Sequence, residues 1–319
     1  MQYLSTAFYQ IMSLVMSLLM SLGAISMPST ETPLALADEN TQLCFAAFGD
    51  TQISNYNFSR EKYLIPVAED LKNADCFVDA MVIAGDVAEN GFASEYDRVY
   101  TDIKDSGCGK YIFATGNHDI RLRDFEQSTE RFFGLMNRLN APEDAQSGNY
   151  YSMVVNGYRF IVLGSEKSSF EDAYISSEQL GFLSHELALA ESEGKPAFVI
   201  SHYPLKNTHG LPDTWSNSLW ESGSVGDQSD ALFEVMNSYK NVFYITGHLH
   251  TGFGQYTFEK LDNLYSVNLP SVGIENKDGE YNSQGIGFFV EVTPSRVLFR
   301  ARNFASGEYL PEYDIDIAL

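Results

Sequence analysis

From about residue 40 onward, the chain alternates short apolar runs with longer amphipathic stretches. Leu43–Phe48 (LCFAAF), Ala80–Ala84 (AMVIA) and Tyr111–Ala114 (YIFA) are too short for helices and read as buried strands. Tyr63–Lys72 and Ser94–Asp105 lie between them and read as helices. This β-α-β-α-β order predicts parallel strands joined by crossover helices. Tyr150–Val155 and Tyr158–Leu163 flank Asn156-Gly157, the dipeptide that suits a two-residue hairpin turn. Further on come a helix over Ser177–Gly194, a strand over Ala197–Ile200, a helix over Asp230–Tyr239 and a strand over Val242–Ile245. Beyond Leu264 the pattern is strand and turn only, including Gly287–Val292 and Val297–Arg302. No linker, repeat or low-complexity tract divides this region, so residues 38–319 are expected to form one α/β domain.

Ahead of that domain, residues 7–26 carry no charge, and Ala35-Leu36-Ala37 offers a small-residue cleavage site before Asp38. Residues 1–37 therefore read as an export signal, placing the product in a periplasm, at a cell surface or outside the cell. The rival is an uncleaved membrane anchor. No second long apolar run follows, so nothing after Ala37 is expected to enter a membrane. The formal net charge is −23, which disfavours a nucleic-acid partner and suits a site that collects cations. The three cysteines, Cys44, Cys76 and Cys108, have no C-x-x-C spacing, which excludes a zinc knuckle or a thioredoxin-like site. Cys76 and Cys108 each precede a strand by a few residues, and the expectation is a bridge between them with Cys44 free and buried.

The chemistry gathers where the strands end. The first three run into Gly49-Asp50-Thr51-Gln52, Gly85-Asp86 and Gly116-Asn117-His118-Asp119, and later ones into Ser201-His202 and Gly247-His248-Leu249-His250. In α/β sheets ligands bind beyond the carboxyl ends of the strands, so these side chains should converge on one rim. A mixed carboxylate, amide and imidazole set suits Mn, Fe or Zn. Two such ions sharing a carboxylate can clamp a phosphate and supply an activated hydroxide. Taken singly, Asp50 and Asp86 could be helix caps, and His202, His248 and His250 could be core histidines. His209, in a loop past His202, is open to either substrate contact or solvation. Trp215 and Trp220 could shape a substrate mouth.

Together these blocks resemble the calcineurin-like metallophosphoesterase superfamily, whose motifs run D-x-H, G-D, G-N-H-D/E, H and G-H-x-H. The similarity extends over roughly residues 43 to 270. It takes in Ser177–Leu187, similar to a helix of bacterial secreted members, and Asn268-Leu269-Pro270-Ser271. The resemblance implies two facing mixed β-sheets flanked by helices and a hydrolase with two divalent metal ions. It implies Asp50, Gln52, Asp86 and His250 as ligands of the first metal. Asp86, Asn117, His202 and His248 would hold the second, with Asp86 bridging. It puts His118 beside the phosphate, with Asp119 orienting or tuning it. Gln52 stands where the commonest pattern has His, which should loosen the first site or favour a harder ion such as Mn. The purple acid phosphatase branch needs Tyr three residues after the bridging Asp, and Glu89 occupies that position. The expected substrate is a small phosphomonoester or phosphodiester. The alternatives are a nucleotide pyrophosphatase, ADP-ribose or cyclic-nucleotide hydrolase on the same site, or an inactive binding module.

Overall fold

A computed structural model of the chain describes residues 32–319, apart from 123, 169 and 216–221. The apolar stretch at residues 7–26 and Trp220 lie outside the described residues. Among the described residues, no helix is long and apolar enough to cross a membrane.

Two mixed sheets carry the architecture. The first contains β1 (Leu43–Phe48), β2 (Ala80–Ile83), β3 (Lys110–Phe113), β10 (Ile286–Val292), β11 (Arg296–Asn303), β12 (Glu308–Tyr309) and β13 (Ile315–Ala318). Its order is β12-β11-β10-β1-β2-β3, with β13 also on β11. β1, β2 and β3 run parallel, and β10 pairs antiparallel with β1. The second contains β4 (Tyr151–Val155), β5 (Tyr158–Val162), β6 (Ala197–Ile200), β7 (Val242–Thr246), β8 (Phe258–Leu261) and β9 (Leu264–Asn268), in the order β4-β5-β6-β7-β9-β8. The β4–β5 hairpin turns at Asn156 and Gly157 with φ of 52° and 79°, the left-handed pair this turn requires.

Strand periodicity explains the layering. Successive side chains of a strand face opposite sides of the sheet. In β6, Phe198 and Ile200 join the core between the sheets, whereas Ala197 and Val199 face the outer helices. β7 divides the same way, Phe243 and Ile245 inward against Val242 and Tyr244 outward. Across the sandwich, Phe45 meets Phe160 and Phe198 edge-on, each at 5.1 Å between ring centroids. Helices α1 (Glu61–Lys72), α2 (Ala93–Ile103) and α4 (Phe125–Leu139) belong with the first sheet. Helices α5 (Ser177–Ser192) and α6 (Ser229–Asn237) cover the second. The one-turn α3 (Asn117–Ile120) follows β3. The result is the expected pair of facing mixed sheets between helices.

The folded unit includes residues ahead of Asp38. Leu34 is fully buried, Arg300 donates to the Ala35 carbonyl at 2.7 Å, and the Ala37 amide donates to Glu291 at 2.9 Å. Cleavage directly before Asp38 would strip these contacts from the domain.

Candidate metal centre

Every sequence-predicted ligand sits just beyond the carboxyl end of a parallel strand. Asp50 and Gln52 follow β1, Asp86 follows β2, and Asn117 opens α3 after β3. His202 follows β6, and His248 and His250 follow β7, so both sheets contribute to one rim. The backbone there is held in an uncommon state. Asp50, Gln52, Asp86, His248 and His250 have φ of 49°, 40°, 50°, 74° and 49°. Non-glycine residues in this region cost about 1–3 kcal/mol each, and such strain concentrates at functional sites. Space is equally constrained. A Cβ at Gly116 would lie 2.1 Å from Asp86 Oδ1, and one at Gly85, itself at φ +85°, 2.6 Å from the His202 side chain. Only glycine allows these side chains their positions.

The donors converge as two overlapping groups, Asp86 with His202 and His248, and Asp86 with Asp50 and His250. Within each group the ligating atoms lie within 4.8 Å of one another. The His202 ring is fixed from behind, since its Nδ1 donates to the Ala84 carbonyl at 2.8 Å. Its Nε2 then faces Asn117 Oδ1 at 3.1 Å, His248 Nδ1 at 3.0 Å and Asp86 Oδ2 at 3.3 Å. Asn117 Oδ1 and Asp86 Oδ2 are both acceptors, so this point favours positive charge. Burial opposes a charged His202, yet the Asp86 carboxylate outweighs it and raises the pKa to about 9. Burial and then the charge on His202 hold His248 well below the ordinary histidine range. His250 Nε2 meets Asp50 Oδ1 at 3.1 Å, and the Gln52 amide donates to Asp86 Oδ2 at 3.2 Å. This donor set, mixed oxygen and imidazole with a shared carboxylate, fits a hard-to-borderline divalent metal.

The surroundings of His118 differ from the sequence expectation. Asp119 does not orient it. The Asp119 carboxylate accepts from the amides of Gly116, Val87 and Ala88 at 2.9, 3.2 and 2.9 Å, and from the Tyr96 hydroxyl at 3.0 Å. Burial, then the charge of Asp86, pushes its pKa up to about 7. The carboxylate beside His118 is that of Glu89, with Oε1 3.2 Å from Nδ1 and the Glu89 carbonyl oxygen at 2.9 Å. Glu89 in turn pairs with Arg60, which also donates to the Gln52 carbonyl. His118 Nε2 points the other way, 3.9 Å from Asp86 Oδ2. Burial works against protonation of His118, but Asp86 and Glu89 prevail and hold its pKa above the ordinary value despite Arg121, whose guanidinium lies 2.9 Å from Nδ1. Sequence reasoning read Glu89 only as a missing tyrosine. Its distinguishing signal was an acid one turn of chain past Asp86, too short a motif to stand alone.

Three residues near the rim find other roles. His209 is buried, with Nδ1 against the Tyr256 carbonyl and Nε2 against Ser266 Oγ, both at 2.7 Å. It therefore neither touches solvent nor reaches the rim, and it pins its loop to β9. Trp215 stacks on the His248 ring at 4.6 Å, covering one face of that residue. Glu171 accepts from the Asn117 amide at 3.5 Å, a contact that keeps Oδ1 of that amide turned toward His202.

A family model described as calcineurin-like phosphoesterase matches residues 45–252. No curated protein matches the chain. Among solved structures, a purple acid phosphatase from yellow lupin (Lupinus luteus) seeds is similar at 14% identity and a TM-score of 0.63, over 86% of this chain and 53% of its own. The chain thus spans about half of the lupin protein. A dimetal phosphatase from Danio rerio is 14% identical with a TM-score of 0.56, over 87% of this chain and 99% of its own. GAP50, the anchor in the inner membrane complex of Plasmodium, is 13% identical with a TM-score of 0.56, over 87% and 89%. At these identities the likeness is one of fold. The family match covers most of the chain and all of the ligand motifs, so the chain belongs to the calcineurin-like phosphoesterase family.

Proposed function

We propose that the chain hydrolyses small phosphomonoesters or phosphodiesters using two divalent cations that share Asp86. The observation that carries this reading is the presence of Asp86 in both donor groups. Asp50, Gln52, Asp86 and His250 would hold one ion, and Asp86, Asn117, His202 and His248 the other. Bound there, Mn, Fe or Zn ions supply Lewis-acid activation of a water and neutralise charge on the phosphoryl oxygens. The chain's own residues do the rest. The Ala84 carbonyl holds His202 in the tautomer that leaves Nε2 free. His118 presents Nε2 toward the rim and donates a proton to the leaving oxygen, a role typically worth about 10²–10⁴-fold. Glu89 stabilises the charged ring from its Nδ1 side.

The test is turnover of p-nitrophenyl phosphate, bis-p-nitrophenyl phosphate, ADP-ribose and cyclic AMP by protein loaded with each metal, alongside metal analysis. Hydrolysis of the first two with about two ions per chain is expected. Preference for ADP-ribose or cyclic AMP would move the substrate class while keeping the site. No bound metal after Mn loading, with no turnover, would overturn the proposal in favour of an inactive binding module.

Export belongs to the same proposal and rests on the uncharged stretch at residues 7–26. Because Leu34 is buried in the domain, a processed form is expected to begin upstream of it rather than at Asp38. Intact mass of protein recovered outside the cytoplasm checks this, and full-length protein confined to the cytosol would refute it.

A further inference from the structure

At the opposite end of β1 from Asp50, the chain entering β2 folds back over Cys44. The Cys44 amide donates to Asp79 Oδ2 at 2.8 Å, and the Asp79 amide donates to the Cys44 carbonyl at 2.9 Å. The Cys44 thiol itself donates to the Phe77 carbonyl at 3.1 Å. These three bonds hold residues 77–79 against Cys44 and deliver Cys76, one residue earlier, to the same spot. Cys76, next to Phe77 in the chain, is thereby brought beside Cys44, and each thiol shifts the titration of the other. Cys44 is buried and Cys76 half-buried, both packed in the hydrophobic core of the first sheet and its helices.

The sequence expectation of a Cys76–Cys108 bridge does not hold in this arrangement. Cys108 lies only two residues before β3, where its polar neighbour is Ser106, whereas the Asp79–Cys44 bonding turns Cys76 toward β1. Strand order alone suggested the wrong partner.

We propose that Cys44 and Cys76 form a redox-closing pair, joined as a disulfide when the chain meets an oxidising disulfide donor. The reaction is a double exchange. The Cys76 thiolate attacks one sulfur of the donor, forming a mixed disulfide and releasing one donor thiolate. Cys44 then attacks the Cys76 sulfur and gives up its proton, releasing the second donor thiolate. Two protein thiols are oxidised and one donor disulfide is reduced to two thiols. The order follows from the setting of each sulfur. The coupling with Cys44 lowers the pKa of Cys76 against the effect of burial and raises that of Cys44. Cys76 is also the more accessible of the two, so it meets the donor first. Cys108, pushed up to about 12 by burial, is a poorer first attacker on the donor than Cys76.

The bridge would close the loop from residue 44 to residue 76, the whole β1–α1 crossover that carries Asp50 and Gln52, without touching the rim. It should therefore raise stability by restricting the unfolded chain and leave turnover unchanged.

The experiment uses the reduced full chain incubated with oxidised glutathione, alkylated, and digested with trypsin without reduction. Cys44 falls in the peptide ending at Arg60, Cys76 in Asn73–Arg98 and Cys108 in Asp105–Lys110, so each linkage has its own mass. The expected result is an intact chain lighter by two hydrogens, one alkylated cysteine at Cys108, and a cross-linked Cys44–Cys76 peptide pair. The thermal midpoint should rise on oxidation in wild type and in Cys108→Ser, and not in Cys76→Ser. Three alkylated cysteines, a lasting glutathione adduct on Cys76, or a Cys76–Cys108 peptide pair would each overturn the proposal. None of these readouts depends on activity.

Discussion

The link between Glu89 and His118 makes a quantitative prediction. Replacing Glu89 by Gln keeps the shape and a carbonyl oxygen near Nδ1 and removes only the charge. At the 3.2 Å separation, and with an effective dielectric constant of about 20, a full charge pair is worth about 5 kcal/mol. That is an upper bound, because Arg60 shares the Glu89 charge and Arg121 opposes a cationic ring. A residual effect of about 1–3 kcal/mol follows, equivalent to the one to two or more pKa units that one opposite charge typically supplies. If His118 must be cationic to protonate the leaving oxygen, kcat falls roughly 10- to 100-fold. The loss should be larger for alkyl or phenyl phosphates than for p-nitrophenyl phosphate, whose leaving group needs no proton. KM and metal content should stay near wild type, since Glu89 is a positioning residue and touches no candidate ligand except through the Arg60 bond to the Gln52 backbone. The decisive assay is a double-mutant cycle with His118→Asn. Glu89→Gln should cost almost nothing in the His118→Asn background. Equal losses in both backgrounds, or equal losses for all leaving groups, would refute the coupling.

The remaining predictions concern the ligands and a buried histidine. Asp86→Ala should abolish divalent-metal binding and turnover together, checked by metal analysis and p-nitrophenyl phosphate assay, and retention of stoichiometric metal would remove its shared role. Gln52→His should tighten the first site and shift metal preference away from Mn, and an unchanged titration profile would mean that Gln52 does not coordinate. His209 is neutral in the fold with a pKa held below the ordinary value by burial, so it contributes stability above the unfolded value of about 6.5 and that contribution is lost as pH falls below it. Urea midpoints of wild type should therefore decline below pH 6.5 more steeply than those of His209→Gln, by up to about 1.4 kcal/mol per pH unit. Parallel declines would contradict the burial argument.

Why the site was legible while parts of the scaffold were not has a physical answer. Asp50, Asp86 and Asn117 each follow a short apolar run, and β1, β2 and β3 prove to be parallel neighbours in register, Phe45 beside Ala80 and Ala80 beside Lys110. One crossover unit separates them along the chain, so local pattern and spatial adjacency agree. The same reasoning fails where pairing is distant. β10 reads as a strand in the sequence, but nothing local says that it lies beside β1, with Ala46 opposite Phe289. Helix α4, Phe125–Leu139, went unread although Asp124 caps it by accepting from the Gln127 amide. β8, β12 and β13 are short, and only their antiparallel partners hold them. His209 looked like a loop residue because its loop is rich in polar and turn-forming residues. Burial under Tyr256 and Ser266 is a tertiary fact with no sequence period.

Asp119 and Glu89 show how adjacent loops divide two tasks between two carboxylates. Asp119 sits in α3, directly after β3, and takes two amides, Val87 and Ala88, from the loop after β2, together with that of Gly116 ahead of its own helix. It is a clamp between the loops that present Asp86 and Asn117. Three backbone donors and the Tyr96 hydroxyl occupy its lone pairs, leaving none to act on an imidazole. Glu89 lies in the clamped loop and is partly buried; burial opposes its charge, but His118 and Arg60 outweigh it and keep it ionised, and Arg60 fixes its direction. A clamp has to be buried and saturated, and a charge that acts on a neighbour has to remain ionised. One carboxylate could not satisfy both requirements. This predicts opposite failures for the two acids. Asp119→Asn introduces an amide donor facing backbone donors, so it should lower the thermal midpoint and metal retention together. Glu89→Gln should lower turnover with the fold intact. If Asp119→Asn instead keeps its midpoint and metal but loses turnover with the same leaving-group bias as His118→Asn, then Asp119 acts on the imidazole and the division drawn from these contacts is wrong.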